Sequence, residues 1–162
     1  MGFQPRVPCL GHDDVVTRPS ISLLQGLDRT TYQAICDLLP QLTTSSPLPT
    51  YERLCEVVEA PSNNVFVARS GDQLLGMLTL IVVPLPTGRV AHIEQVVVDE
   101  RSRGMGVGRS LAEAALAAAK SSGARHVDLT SRPSREAANS FYQSLGFTPR
   151  ETNVWRYQFN VT

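Results

Sequence analysis

Hydrophobic and polar positions along this chain change period several times, and each change marks an element. Strand-type residues at 20–24 predict a first, edge strand. Asp28 stands where an N-cap belongs, and Tyr32, Ile35, Leu38 and Leu39 then recur at helical spacing until Pro40. A loop of serine, threonine and proline at 42–49 leads to a second helix. Thr50 caps that helix, Leu54, Val57 and Val58 share one face, Glu52 and Glu56 fall on another, and Pro61 closes it. Apolar stretches at 64–69, 73–83 and 89–99 are separated by turn residues at 70–72 and 84–88, which predicts a three-stranded antiparallel meander. Gly76 in the middle strand marks a bulge or a close approach. The run 111–120 consists of strong helix formers, and 125–130 is a short apolar strand. Joined through a helix, the strands 89–99 and 125–130 should lie parallel by a right-handed crossover. A further helix is expected over 134–145, with Ser134 as N-cap and Gly146 as its stop. Alternation at 152–159 predicts a last strand, with a short one at 148–150 before it. The fold class is therefore α/β: a mixed central sheet of six or seven strands with an antiparallel meander, flanked by about four helices.

Composition narrows the function. The 162 residues suit one domain with a proper core. Residues 1–19 are polar, rich in proline and glycine and without periodicity, and read as a flexible arm before a single domain at 20–162. Fifteen basic and fifteen acidic residues balance to zero, which argues against a general nucleic-acid or membrane-surface binder. Cys9, Cys36 and Cys55 are odd in number and far apart, so they form neither a disulfide framework nor a zinc site, and they fit reduced thiols of a cytoplasmic protein. No run is long and apolar enough to span a bilayer, and the N-terminus lacks the pattern of a secretory signal.

The chemistry concentrates between His92 and Leu111. A valine-rich strand runs into a glycine-rich turn, Arg103-Gly104-Met105-Gly106-Val107-Gly108, and then into a helix. Glycines let the backbone bend sharply, and the first amides of a helix have no internal partners. Such a junction binds an anion, most often phosphate. Three ligands compete. The P-loop pattern G-x-x-x-x-G-K-S/T fails because Gly104 to Gly108 is one residue short and Arg109 replaces the lysine. The dinucleotide pattern G-x-G-x-x-G fails because the third glycine comes one position early and 99–103 separate the first glycine from the strand. The third ligand is acyl-coenzyme A, whose pattern R/Q-x-x-G-x-G/A is matched by Arg103 to Gly108. With the preceding V-V-V-D strand, this stretch resembles motif A of the GNAT family of N-acetyltransferases. The stretch from Ala138 to Phe147 is similar to that family's A-x-x-F-Y-x-x-L-G-F segment. Together the resemblance spans about 65–159.

The resemblance implies an acetyl-CoA-dependent N-acetyltransferase with no metal, acting directly on a primary amine of a small molecule. It places the pantetheine arm along Val96, Val97 and Val98, and the pyrophosphate on the amides of Arg103, Gly104, Met105, Gly106, Val107 and Gly108, reaching Arg109 and Ser110. Tyr142 matches the family's proton donor to the leaving thiolate, and a phenol is reasonably matched to a thiol in pKa. Many members carry an asparagine seven residues before that tyrosine. Arg135 stands there in this chain, and Asn139 is the substitute contact to the cofactor. Glu94 is the candidate general base, because a carboxylate in an apolar strand needs a reason and burial would raise its pKa toward working pH. A salt bridge or recognition of the substrate amine are its alternative roles. His92 shares the face of Glu94 by strand alternation and is a candidate relay.

The acceptor is less legible. His92 to Val98 is similar to the H-I-E-D-V/I-x-V strand of glucosamine-6-phosphate N-acetyltransferases, with Gln95 in place of the aspartate. In that alternative, arginines such as Arg132 and Arg135 would grip the sugar phosphate. Tyr32, Tyr51, Trp155 and Tyr157 offer an aromatic acceptor wall. A non-catalytic acyl-CoA sensor is the alternative from another class, and the presence of both Glu94 and Tyr142 argues against it. Neither nucleic acid nor membrane is an expected partner; the last strand and the exposed helices can support a homodimer.

Overall fold

The computed structural model describes residues 19–44 and 46–159, so all of the expected N-terminal arm except Pro19 lies outside the described residues. Five strands form one sheet in the order of the sequence. They are β1 (Ser20–Leu23), β2 (Asn63–Ser70), β3 (Gln73–Leu85), β4 (Gly88–Val98) and β5 (Ala124–Asp128). The first four are antiparallel, and β5 runs parallel to β4, as its helical crossover requires. The helices are α1 (Arg29–Leu38), α2 (Tyr51–Glu59), α3 (Val107–Ser121) and α4 (Glu136–Ser144). Asp28 and Thr50 cap α1 and α2, accepting from the amides of Thr31 and Arg53.

The helices cover both faces of the sheet. Ile35 and Leu38 of α1 and Leu54 of α2 pack on Val65, Val67 and Met77. On the other face, Leu111, Ala112, Ala115 and Ala119 of α3 pack on Phe66, Leu78, Leu80 and Ile93. Adjacent residues of β2 thus serve opposite cores, which is why the central strands read as continuous apolar runs rather than alternating ones.

Gly76 is a point of close approach. A Cβ there would stand 2.8 Å from the Val97 carbonyl oxygen and 3.2 Å from Leu111 Cδ1. The missing side chain lets α3 and β4 close over β3.

Two expectations are corrected. The sheet has five strands among the described residues, not six or seven: 148–150 and 152–159 join no ladder. Alternation gives a strand tendency, and a strand forms only when a neighbour takes its backbone groups. Ser134 is not the N-cap of α4; Arg135 holds that position without a side-chain cap, after a turn closed by its own amide on the Arg132 carbonyl. α1 ends at Leu38, before Pro40 as expected, and a single 3-10 turn, Leu39–Gln41, follows with the proline in its first turn. Gly146 does stop α4, at φ +92°.

Gly76→Val should force β3 and β4 apart. Overpacking of this kind costs about 1–3 kcal/mol, which for a domain of this size is a fall in Tm of several degrees. An unchanged thermal melt would mean that this contact relaxes without cost.

Candidate active site

The site originates in a β-bulge. Thr79 pairs with Glu94 and Met77 with Val97, so one residue of β3 intervenes where β4 has two, Gln95 and Val96. Gln95 takes a left-handed conformation, φ +55°, unusual for a residue with a Cβ. The extra residue switches the phase of β4. Ala91 and Ile93 face α3, yet Val97 packs with α1 and α2 while Val96 and Val98 turn to the α3 side. Pairing between β4 and β5 ends at His92 and Asp128. Beyond it, 94–98 pairs in the ladder with β3 alone among the described residues, and its β5-facing edge takes no strand.

A cleft of about 280 Å³ occupies this parting. Glu94, Gln95 and Val96 line it from the bulge, Leu129 and Thr130 from beyond β5, and Arg135 and Tyr142 from α4 and its N-cap. Leu42, Thr43 and Ser46 close it from the loop after α1. Glu94 is exposed, and its carboxylate has no ion-pair or hydrogen-bond partner among the described residues. This corrects its expected burial: Glu94 lines the cleft and is not enclosed in the core. Tyr142 is half-buried, with ring centroids 5.4 Å from Phe141 and 6.0 Å from Phe147. Burial pushes its phenol up, and the Arg135 guanidinium opposes that push more weakly.

The other end of the open edge is the glycine turn. Asp99 is buried, its amide donates to Leu75 O, and its carboxylate accepts from the backbone and guanidinium of Arg101. These bonds hold the carboxyl below the usual range and fix a 3-10 turn, Glu100–Ser102. Gly104 and Gly106 both sit at φ +79°, where a side chain is strained. The turn delivers the chain to the N-terminus of the 15-residue helix α3. Among the described residues, no backbone acceptor meets the amides of Gly104, Gly106, Val107, Gly108 or Arg109. Five donors and a positive helix end form an anion cradle.

A profile of the acetyltransferase (GNAT) family matches residues 31–147. The chain belongs to that family. It is 32% identical over 129 residues to N-alpha-acetyltransferase 30 of Schizosaccharomyces pombe, covering 79% of this chain and 84% of the relative. It is also 32% identical over 139 residues to the glucosamine 6-phosphate N-acetyltransferase of Trypanosoma brucei brucei, covering 81% and 92%. Among solved structures, a putative acetyltransferase from Agrobacterium tumefaciens superposes with a TM-score of 0.76 at 26% identity, covering 86% of this chain and 99% of that one. The protein is a GNAT acetyltransferase, and the family uses acetyl-CoA as cosubstrate.

The residues present fit that cosubstrate. The open edge of 94–98 can take an extended amide-bearing arm as a strand would, and the cradle at 104–109 can take a pyrophosphate. Some predicted contacts are already engaged within the protein. Arg103 Nε donates to the Val98 carbonyl at 3.3 Å, Arg109 reaches Ser144 Oγ at 2.8 Å, and Ser110 Oγ donates to the Gly106 carbonyl at 3.2 Å. Met105 is exposed at the apex of the turn, and its amide donates to Ser102 O. Asn139 Nδ2 donates to the carbonyls of Arg132 and Pro133, so its amide shapes the loop between β5 and α4. Among the described residues no group of three or more His, Cys, Asp or Glu could hold a metal ion.

The acceptor candidates scatter. Arg135 lines the cleft. Tyr32 does not: its hydroxyl donates to the Pro49 carbonyl and its ring meets Tyr51 edge-on. His92 is half-buried at the last β4–β5 pair, before the edge opens. Arg132 is exposed outside the cleft lining, and Trp155 stands in solvent, because 152–159 does not fold back over the site. Leu42, Thr43 and Ser46 were not singled out in the sequence, where they are ordinary loop residues with no distinguishing signal.

The glycines of the turn are not equivalent. A Cβ at Gly108 would make only ordinary contacts, 3.6 Å to Phe141 and to Val98. Gly106→Ala should weaken acetyl-CoA binding about tenfold, the cost of forcing a left-handed alanine. Gly108→Ala should weaken it less. Calorimetric titration with acetyl-CoA checks the order, and a reversed order would mean that approach at Gly108, not the turn at Gly106, governs binding.

Proposed function

We propose that this enzyme moves an acetyl group directly from acetyl-CoA to a primary amine of a small molecule. The observation that carries this reading is that Glu94 and Tyr142 line one cleft from two walls, where β4 parts from β5. When bound, acetyl-CoA supplies the activated acyl thioester. The β4 edge at Val96, Val97 and Val98 holds its arm, and the amides at 104–109 hold its phosphates. Glu94, an accessible carboxylate without a partner, draws in the acceptor as an ammonium ion and takes its proton directly or through water. Tyr142 stays protonated above the ordinary phenol range and gives its proton to the departing thiolate.

A second reading has a specific support. Arg135 brings a fixed positive charge to the same cleft, beside the amine-binding carboxylate. An acceptor with an amine at one end and a phosphate at the other, such as glucosamine 6-phosphate, satisfies both charges. The likeness to the trypanosomal relative adds to it.

The test follows free thiol release from acetyl-CoA over amino sugars, amino sugar phosphates, polyamines, amino acids and peptides with free N-termini. Turnover with a small amine supports the first reading, and a strong preference for glucosamine 6-phosphate selects the second. Turnover with peptides alone would overturn both. Binding of acetyl-CoA without turnover on any acceptor would move the protein to the sensor class.

Two variants test the roles. Tyr142→Phe should lower kcat about a hundredfold with acetyl-CoA affinity unchanged, and should remove any loss of rate above pH 10. Parent-like turnover would end its role as donor. Glu94→Gln should lower kcat/KM by a similar factor and flatten the rise of rate with pH. If the pH profile keeps its shape, Glu94 only positions the amine.

A further inference from the structure

Tyr142 rides on a lightly held helix. α4 contributes no fully buried residue, and its N-cap, Arg135, makes no side-chain cap bond. Asn139 bonds back to the carbonyls of Arg132 and Pro133, within the loop that leads into the same helix. Tyr142 sits in the last turn, where its carbonyl accepts from the amides of Leu145 and Phe147, both at 3.1 Å. A proton donor must stand within hydrogen-bond reach of its target, so this turn has to be fixed against the rest of the molecule.

The fixing group lies on α3. Arg109 is the third residue of that helix, and its backbone amide is one of the free donors of the anion cradle. Its side chain leaves in another direction. Nη2 donates to Ser144 Oγ at 2.8 Å, and Nη1 lies 3.6 Å from Glu113 Oε1, one turn further along α3. Ser144 Oγ in turn donates to the Phe141 carbonyl at 2.7 Å. The guanidinium therefore stands at the C-terminal end of α4, where a positive charge is favoured. Arginine suits the place because its planar fork carries five donors in fixed directions. Beside this bond, Phe141 lies against Gly108, where a Cβ would be 3.6 Å from the ring carbon Cζ. Gly108 and Arg109 thus meet Phe141 and Ser144, the residues that bracket Tyr142.

We propose that Arg109 is a positioning residue for Tyr142: through Ser144 it holds the last turn of α4 on the N-terminus of α3. The glycine turn and the phenol then keep one fixed spacing. The catalytic consequence rests on the reading of Tyr142 as proton donor. The anchoring does not, and neither depends on which acceptor the cleft takes.

Ser144→Ala removes the anchor and leaves the cradle amides in place. It should lower kcat about tenfold, within the hundredfold that a misplacement of about 1 Å can cost, with acetyl-CoA affinity by calorimetry unchanged. Ser144→Thr keeps the hydroxyl and should restore the rate. Arg109→Lys keeps the charge without the fork and should repeat the loss. In the Tyr142→Phe background, Ser144→Ala should cost nothing further. A second readout needs no turnover. Burial holds the Tyr142 phenol above its ordinary range. Its ring signals, identified in NMR spectra by their loss in Tyr142→Phe, should titrate lower in Ser144→Ala as α4 loosens. Glu94 and Arg135, the charged groups that share its cleft, are the same in both proteins. A ring that titrates as in the wild type overturns the proposal. A shifted titration with parent-like kcat leaves the anchor standing and ends the donor reading of Tyr142. Lost acetyl-CoA affinity in Arg109→Lys, beside a parent-like Ser144→Ala, would make Arg109 a phosphate contact alone and overturn its positioning role.

Discussion

One extra residue in β4 is the constraint on which the site depends. The bulge at Gln95 and Val96 keeps the strand bonded to β3 while it parts from β5. A regular β4 would leave no open backbone edge, and its phase would not change between Ile93 and Val97. Glu94 would then precede an unbroken ladder instead of facing a cleft. The left-handed Gln95 stores some backbone strain there, and strain of this kind collects where a fold has been bent toward function.

The rest of the molecule supports that opening from both faces. α3 approaches β3 over Gly76, and its N-terminus is aimed by a short turn that Asp99 and two left-handed glycines define. On the opposite face, Gln41 accepts the Glu100 amide, so the end of α1 is tied to the entrance of the same turn. The loop between α1 and α2 thereby shares a frame with the glycine turn, and its residues 42–46 reach the cleft. The glycine turn and the cleft thus rest on opposite layers joined through one strand.

The two candidate catalytic groups differ in what sets their chemistry. Tyr142 is half-buried beside Phe141 and Phe147, and desolvation pushes its phenol up. Glu94 is accessible, so its work as a base or an amine anchor rests on position rather than on burial. The sequence suggests the opposite for Glu94, because an apolar run around a carboxylate looks like a core strand until the bulge is known.

The sequence alone determined the elements whose cause is local. Caps at Asp28 and Thr50, the stop at Gly146, the meander and the helix after the glycines follow from propensity and spacing, which act within a few residues. The motifs around Gly104 and Tyr142 likewise disclosed the family and the two ends of the proposed cosubstrate site. Only the tertiary structure decided what depends on neighbours distant in the chain. It placed the bulge, because register is a property of two strands and not of one. It drew Thr43, Ser46 and Arg135 into the cleft and left Tyr32 and Trp155 out of it. It also left 152–159 unpaired, because an alternating segment becomes a strand only where another backbone meets its amides and carbonyls.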